Sequence, residues 1–169
     1  MPIKKLRIGY DKAAFDGIAK GASDSKQLYS DVLDILKKLG VVLKPVALPA
    51  MAPAYNALAG LIIDCEGASS FQKLTDSDAI RTLVQQNANS WPNTFRTGSL
   101  VPAADYILAM RLRARLQSEW AQAMTGIDCF VTPPFGSLVA TNLTGHPTVV
   151  TRCGEIKGVP QMVEFTGQL

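Results

Sequence analysis

The chain has 169 residues, 47% of them hydrophobic and 18% charged, the composition of a globular domain rather than of a disordered segment. Seventeen Lys and Arg against fourteen Asp and Glu leave a formal charge of +3, and no basic run exceeds the pairs Lys4–Lys5 and Lys37–Lys38. A nucleic-acid binder concentrates its charge on one stripe and a membrane span needs an apolar run of ~18 residues, so both classes are excluded.

This length suits a single domain over 1–169 that buries about 70% of its unfolded surface. Met1-Pro2-Ile3-Lys4-Lys5 leads into no apolar signal core, which predicts a cytoplasmic protein. Cys65, Cys129 and Cys153 are odd in number and form no CxxC pair, so they read as buried thiols. Asn142-Leu143-Thr144 matches a glycosylation acceptor, which carries no weight without a signal peptide.

In chain order, Lys5 to Tyr10 alternates Leu6 and Ile8 with polar or small residues and predicts a strand, followed by a loop over DKAAFDG. Leu28, Val32, Ile35, Leu36 and Leu39 recur at helical spacing. Ser23, Asp24 and Ser25 offer caps, Gln27 completes a capping box, Lys37 and Lys38 suit the last turn, and Gly40 suits the left-handed end. Val41 to Leu48 then predicts a strand, placed near an edge by Pro45. Strand, helix and strand in this order form a βαβ unit with parallel pairing.

Residues 52–66 predict a helix with Tyr55, Leu58, Ala59, Ile62 and Ile63 on one face. A short helix is expected around 76–86, capped by Thr75 or Asp76, broken by Trp91-Pro92 and closed by Gly98. A long helix runs from Pro102 to about Met124, with Ala103, Ile107, Met110, Ala114 and Ala121 expected inside. Asp105, Arg111, Arg115, Ser118 and Gln122 are expected in water. Cys129–Thr132, Thr148–Thr151 and Pro160–Thr166 predict strands, with a hairpin turn over Gly154–Gly158. The fold class is α/β, a mixed sheet of about five strands flanked by about four helices. The chain stops straight after a strand at Gly167-Gln168-Leu169, which reads as a cut.

The sequence offers few groups suited to chemistry. His146, the one histidine, lies in a Gly-His-Pro turn with no nucleophile or orienting group placed by the sequence. No HExxH pair, G-x-S-x-G elbow, P-loop or G-x-G-x-x-G is present, so no metal, phosphate or dinucleotide site is expected. Ser69-Ser70 lacks an adjacent lysine or a glycine-rich turn and reads as a helix end. Asp64 and Glu66 diverge on a helix, a poor carboxylate dyad. Arg111, Arg113 and Arg115 spread around theirs as surface charges.

Three stretches in order carry a resemblance. KLRIGY, an amphipathic helix and VVLKPVALP form the first; FRTGSLVPAADYILAMRLRARLQSEW is the second; IDCFVTPPFG with TNLTGHPTVVTRCG and GVPQMVEFTGQL is the third. Together they resemble the part of amidase-signature enzymes that follows the signature itself. The resemblance implies a partial amidase-signature fold and a serine amidohydrolase, working through a Ser-Ser-Lys triad held in strings such as GGSSGG. Those strings have no match here. The expectation is therefore a C-terminal portion with no catalytic, cofactor-binding or metal residues of its own, inactive alone, whose partners are the missing N-terminal segment and a small amide. Phe135, Gly136, Ser137 and Leu138 precede Thr141-Asn142 without an acid, which implies a general amide hydrolase rather than a glutamine amidotransferase. Asn142, Gly145 and Pro147 match the family motif as turn-shaping residues. Exposed sheet edges imply homo-oligomers. The rival reading is a non-catalytic α/β binding module or subunit, separable by an in-frame GGSSGG-like stretch in the upstream DNA.

Overall fold

The computed structural model describes residues 3–21, 23–50 and 53–169. Along the chain these form β1 (Arg7–Asp11), α1 (Lys12–Ala19), α2 (Ser23–Lys38), β2 (Val42–Val46), α3 (Pro53–Ser70), α4 (Gln72–Thr75), α5 (Trp91–Gly98), α6 (Ala103–Ala123), β3 (Cys129–Thr132), α7 (Leu138–Thr144), β4 (Thr148–Ile156) and β5 (Val159–Gly167). Short 3₁₀ turns cover Ile3–Lys5 and Asp78–Thr82. The chain divides into two compact units, one of residues 1–50 with 116–169 and one of residues 51–115.

The first unit holds a five-stranded sheet in the order β2-β1-β3-β5-β4. β1 is parallel to β2 and β3, while β3–β5 and β5–β4 are antiparallel. The sheet is thus mixed, as expected, and β2, with Pro45, is an edge strand. α2 packs on one face, where Tyr29, Val32 and Leu36 meet Ile8, Val131 and Val163. Tyr10, Phe15 and Tyr29 continue this layer edge to face, with centroids 6.2 and 6.3 Å apart. The inner stripe of α2 is rotated by a fraction of a turn from the expected one: Ile35 and Leu39 are half exposed and Tyr29 is buried instead. Because side chains alternate across a strand, Phe130 points to the other face. There it is covered by Trp120, with ring centroids 5.5 Å apart.

Three expectations are corrected. DKAAFDG is not a loop but α1: Asp11 Oδ1 accepts the Ala14 N–H at 3.0 Å, and Phe15 is buried. A short cap followed by two alanines outweighs the breaking tendency of Asp and Gly. Trp91-Pro92 starts α5 instead of breaking a helix, because proline in a first turn removes an N–H that had no intrahelical partner anyway. The 76–86 helix shrinks to the 3₁₀ turn Asp78–Thr82, capped by Ser77.

The long helix α6 forms where expected, but its inner line differs. Ala103, Ile107, Ala114 and Ala121 are exposed, whereas Leu116 and Trp120 are buried and Met124 follows one turn later. Burying a large side chain is worth roughly 1.5–3 kcal/mol and burying an alanine much less, so the large residues set the rotation. Asp105, Arg111, Arg115, Ser118 and Gln122 face water as expected.

In the second unit α3 packs on α5. Leu58, Ile62 and Ala68 are buried along α3, and Ile63 is half exposed. The contact depends on Gly98, whose added Cβ would fall 2.7 Å from the Asp64 carbonyl carbon and 3.1 Å from Ala68 Cβ. At one side Phe71 stacks on Phe95 with centroids 4.7 Å apart, and Trp91 leans on Phe95 at 5.6 Å.

Candidate functional site

The most constrained polar cluster lies where β3 ends. Thr132 is paired with Glu164 across the β3–β5 ladder, and Pro133-Pro134 then stops the strand. Phe135 takes φ +66, a left-handed conformation that costs a bulky residue roughly 1–2 kcal/mol. Its N–H donates to Glu164 Oε1 at 2.8 Å, and the Ser137 hydroxyl donates to Glu164 Oε2 at 3.2 Å. Glu164 is 5% exposed and Ser137 2%, while the Phe135 side chain stands 79% in solvent. A buried carboxylate thus holds a strained turn that presents an aromatic ring. Ser137 itself is too enclosed to meet a substrate, so its hydroxyl acts as a tether.

In the final strand Val163 and Phe165 alternate with the polar Glu164 and Thr166. Both faces of β5 are covered, so Glu164 and Thr166 are buried as well. Sequence reasoning missed Glu164 because period-2 alternation carries no sign of a second covered face. It also missed α7. There Asn142 Nδ2 donates to the Leu138 carbonyl at 2.8 Å, and Gly145, at φ +87, caps the helix by donating to the Thr141 carbonyl. Asn142 and Gly145 therefore shape a helix and its end, and the Pro147 carbonyl accepts the Gly167 N–H at 2.9 Å.

His146 is buried between Thr144 and Trp120. Its Nδ1 bonds Thr144 Oγ1 at 2.8 Å, and its ring lies 5.5 Å from the Trp120 ring. Burial lowers its pKa below 6.5, which keeps the imidazole neutral at pH 7. It borders a cleft of about 400 Å³ lined also by Arg7, Met124 and Gln168. Gln168 donates to the Met124 and Ile127 carbonyls at 2.9 and 2.6 Å, and Arg7 is paired with Asp128 at 2.6 Å. Gln168 thus ties the C-terminal residues to the chain just after α6, and Arg7 joins the start of β1 to the residue before β3.

Ser69 and Ser70 sit on the last turn of α3, exposed, and line an open cleft of about 520 Å³ with Cys65, Glu66 and Tyr106. Burial first, then the carboxylates Asp64 and Glu66, push the Cys65 thiol up. Burial does the same for Cys129 and Cys153, so all three resist forming the nucleophilic thiolate. Arg111 and Arg115 are exposed and Arg113 half-buried, around α6 as expected. Among the described residues, Ser137 donates to Glu164, and Ser77, Ser90 and Ser99 donate to the carbonyls of Leu74, Asn87 and Phe95. Among the described residues no group of three His, Cys, Asp or Glu could hold a metal ion, and no helix is long and apolar enough to cross a membrane.

No protein-family model matches the chain, and no curated protein does. Solved structures match it well. A bacterial aryl acylamidase of the amidase-signature family superposes with a TM-score of 0.76 at 13% identity, over 99% of this chain and 41% of its own. The native peptide amidase from Stenotrophomonas maltophilia gives 0.74 at 19% identity, over 98% and 40%. An amidase family protein from Bacillus anthracis gives 0.69 at 13% identity, over 99% and 35%. The chain thus spans about two-fifths of the length of the amidases it matches. The resemblance carried by KLRIGY, the α6 stretch and the TPPFG-to-GQL ending is borne out in three dimensions: this chain has the amidase-signature fold over one portion of its extent.

Proposed function

We propose that the chain is a C-terminal portion of an amidase that hydrolyses carbon–nitrogen amide bonds, with its Ser-Ser-Lys triad on a segment outside these 169 residues. The carrying observation is the match of 96–99% of this chain to amidases of which only about two-fifths is used. In the whole enzyme the serine hydroxyl adds to the amide carbonyl, the amine leaves protonated, and water releases the acid from the acyl-enzyme. The share of this chain is the sheet and one wall of the pocket for a small amide. The hydroxyls and thiols described above favour this division. Ser137 is tethered to Glu164, His146 to Thr144, and each cysteine is held as a thiol.

The test is amide turnover by the isolated chain, with a fluorophosphonate serine reagent as a probe of any activated hydroxyl. The expected result is no turnover and no covalent adduct. Turnover that the reagent abolishes would falsify the proposal.

A further inference from the structure

We propose that the first half of β4, Thr148 to Arg152, is the edge to which the amidase segment outside these 169 residues adds a strand, and that this strand is a proline-free apolar run. The assignment rests on the reading that the chain is one portion of an amidase, and adds to it the edge that is used and the chemistry of the strand that joins it. The chain spans only about two-fifths of the amidases it matches, so the larger part of such an enzyme must be seated on it.

The sheet ends at β2 on one side and β4 on the other, and the two edges are built differently. β2 carries exposed Lys44 and Pro45, a charge and a missing N–H, the usual devices that keep an edge from pairing. β4 begins Thr148-Val149-Val150-Thr151, with neither charge nor proline. Successive residues point to opposite faces, and the register says which. Val149 pairs with Phe165 on the face packed by α2, and Val150 pairs with Glu164 on the face of Phe130 and Trp120. On β5 both positions are shielded, Phe165 half-buried and Glu164 buried. One strand further out, Val149 is 67% exposed and Val150 55%. Both layers therefore stop between β5 and β4. Beyond a bulge between Arg152 and Gly154 the cover returns, where Leu28 of α2 closes on Gly154. The bare stretch, Thr148 to Arg152, has the length of an ordinary strand.

This pattern selects the occupant. A second copy added edge to edge would extend the sheet in its own plane and leave Val149 and Val150 bare on their two faces. A strand that arrives with layers on either side of it covers the edge and both faces together, and the amidase segment is large enough to bring them. A strand buried on both faces reads as a near-continuous apolar run rather than an alternation. It must also supply N–H groups to the new ladder, which keeps proline from its centre. Val149, Val150 and Thr151 are β-branched and pair best with β-branched or aromatic neighbours. Arg152 closes the stretch, neutralised by Glu155 of the same strand at 2.7 Å.

The probe is the stretch encoded in frame upstream of Met1, co-expressed with the full chain. Amide exchange by NMR is measured on the chain alone and on the co-purified complex. The outward N–H groups between Thr148 and Arg152 are expected to exchange freely in the chain alone and to slow at least about tenfold in the complex, while those of β2 change little. Val150→Lys sets an ammonium where a side chain becomes buried and is expected to weaken association about 10- to 100-fold. Val42→Lys, on β2, is expected to leave it unchanged. Circular dichroism shows whether each variant chain folds, and the exchange readout, taken on the wild type, needs neither. The proposal is overturned by no association, by a complex whose β4 amides stay free, or by Val42→Lys weakening it as much as Val150→Lys. It is also overturned by β4 amides already protected in the chain alone by a second copy, or by an upstream stretch without a proline-free apolar run. Turnover of an aryl amide by the same complex is scored separately. Turnover with free β4 amides sinks the docking and leaves the amidase reading standing; protected β4 amides without turnover do the opposite.

Discussion

Replacing Glu164 with alanine removes both acceptors that hold the turn from Pro133 to Ser137. The Phe135 N–H and the Ser137 hydroxyl, now 2.8 and 3.2 Å from the two carboxylate oxygens, lose these acceptors, the hydroxyl in a buried position and the N–H in a part-buried one. An unsatisfied buried donor costs about 1–3 kcal/mol, so Glu164→Ala is expected to destabilise by about 3 kcal/mol. Glu164→Gln keeps an oxygen for the Phe135 N–H and offers its amide hydrogens to Ser137 Oγ, so it should lose only about 1 kcal/mol. Phe135→Gly acts in the opposite sense. It relieves the left-handed strain, worth roughly 1–2 kcal/mol, and removes a ring that is already 79% exposed. The assay is urea unfolding followed by Trp120 fluorescence in a Trp91→Phe background, so that only the unit containing the sheet is read. A Glu164→Ala variant within about 0.5 kcal/mol of wild type, or a Glu164→Gln variant equally damaged, refutes the tether; both limits lie inside the range for one hydrogen bond.

Other outcomes follow from the same structure. Gly98→Ala forces a methyl group onto the Asp64 backbone, which cannot give as a flexible side chain can. It should lower the unfolding midpoint of the second unit, read by Trp91, and leave the Trp120 signal unmoved. His146 has its folded pKa lowered from 6.5 by burial. The unfolded chain therefore binds a proton first, and stability should fall as pH drops below about 6.5, a dependence that His146→Asn abolishes. Asp128 is lowered from 3.8 to about 2 by the hydrogen bonds and charge of Arg7. Its contribution is complete above 3.8 and lost as pH falls toward about 2, so Arg7→Gln should flatten the acid limb of the stability profile while leaving the pH 5 to 7 region in place.

Local signals that agree with one another were readable in the sequence. α2 is announced by an apolar period of 3.6, lysines in its last turn and Gly40 after it, and all three are present. β3 is the short, mostly apolar stretch CFVT stopped by two prolines, and it forms over those same residues. The ordered stretches were readable too, two of them built on strands and one on the long helix α6, and the solved amidases share the fold that they form. What stayed hidden depends on tertiary partners. The rotation of α6 was settled by where Leu116 and Trp120 find cover, and alanines spread round the helix disguised it. α1 and α7 are short helices whose caps, Asp11 and Gly145, read equally well as turn residues. Glu164 was hidden most deeply, since nothing in VPQMVEFTG tells a solvent-facing glutamate from one drawn inward by a backbone N–H 29 residues upstream along the chain.

The central question is where the reacting hydroxyl resides. The direct measurement is the rate of hydrolysis of a simple aryl amide by this chain alone, and by the chain supplied with a segment bearing the GGSSGG-type signature. Turnover that begins only when that segment is present is the predicted result. A comparable rate from residues 1–169 unaided would contradict it.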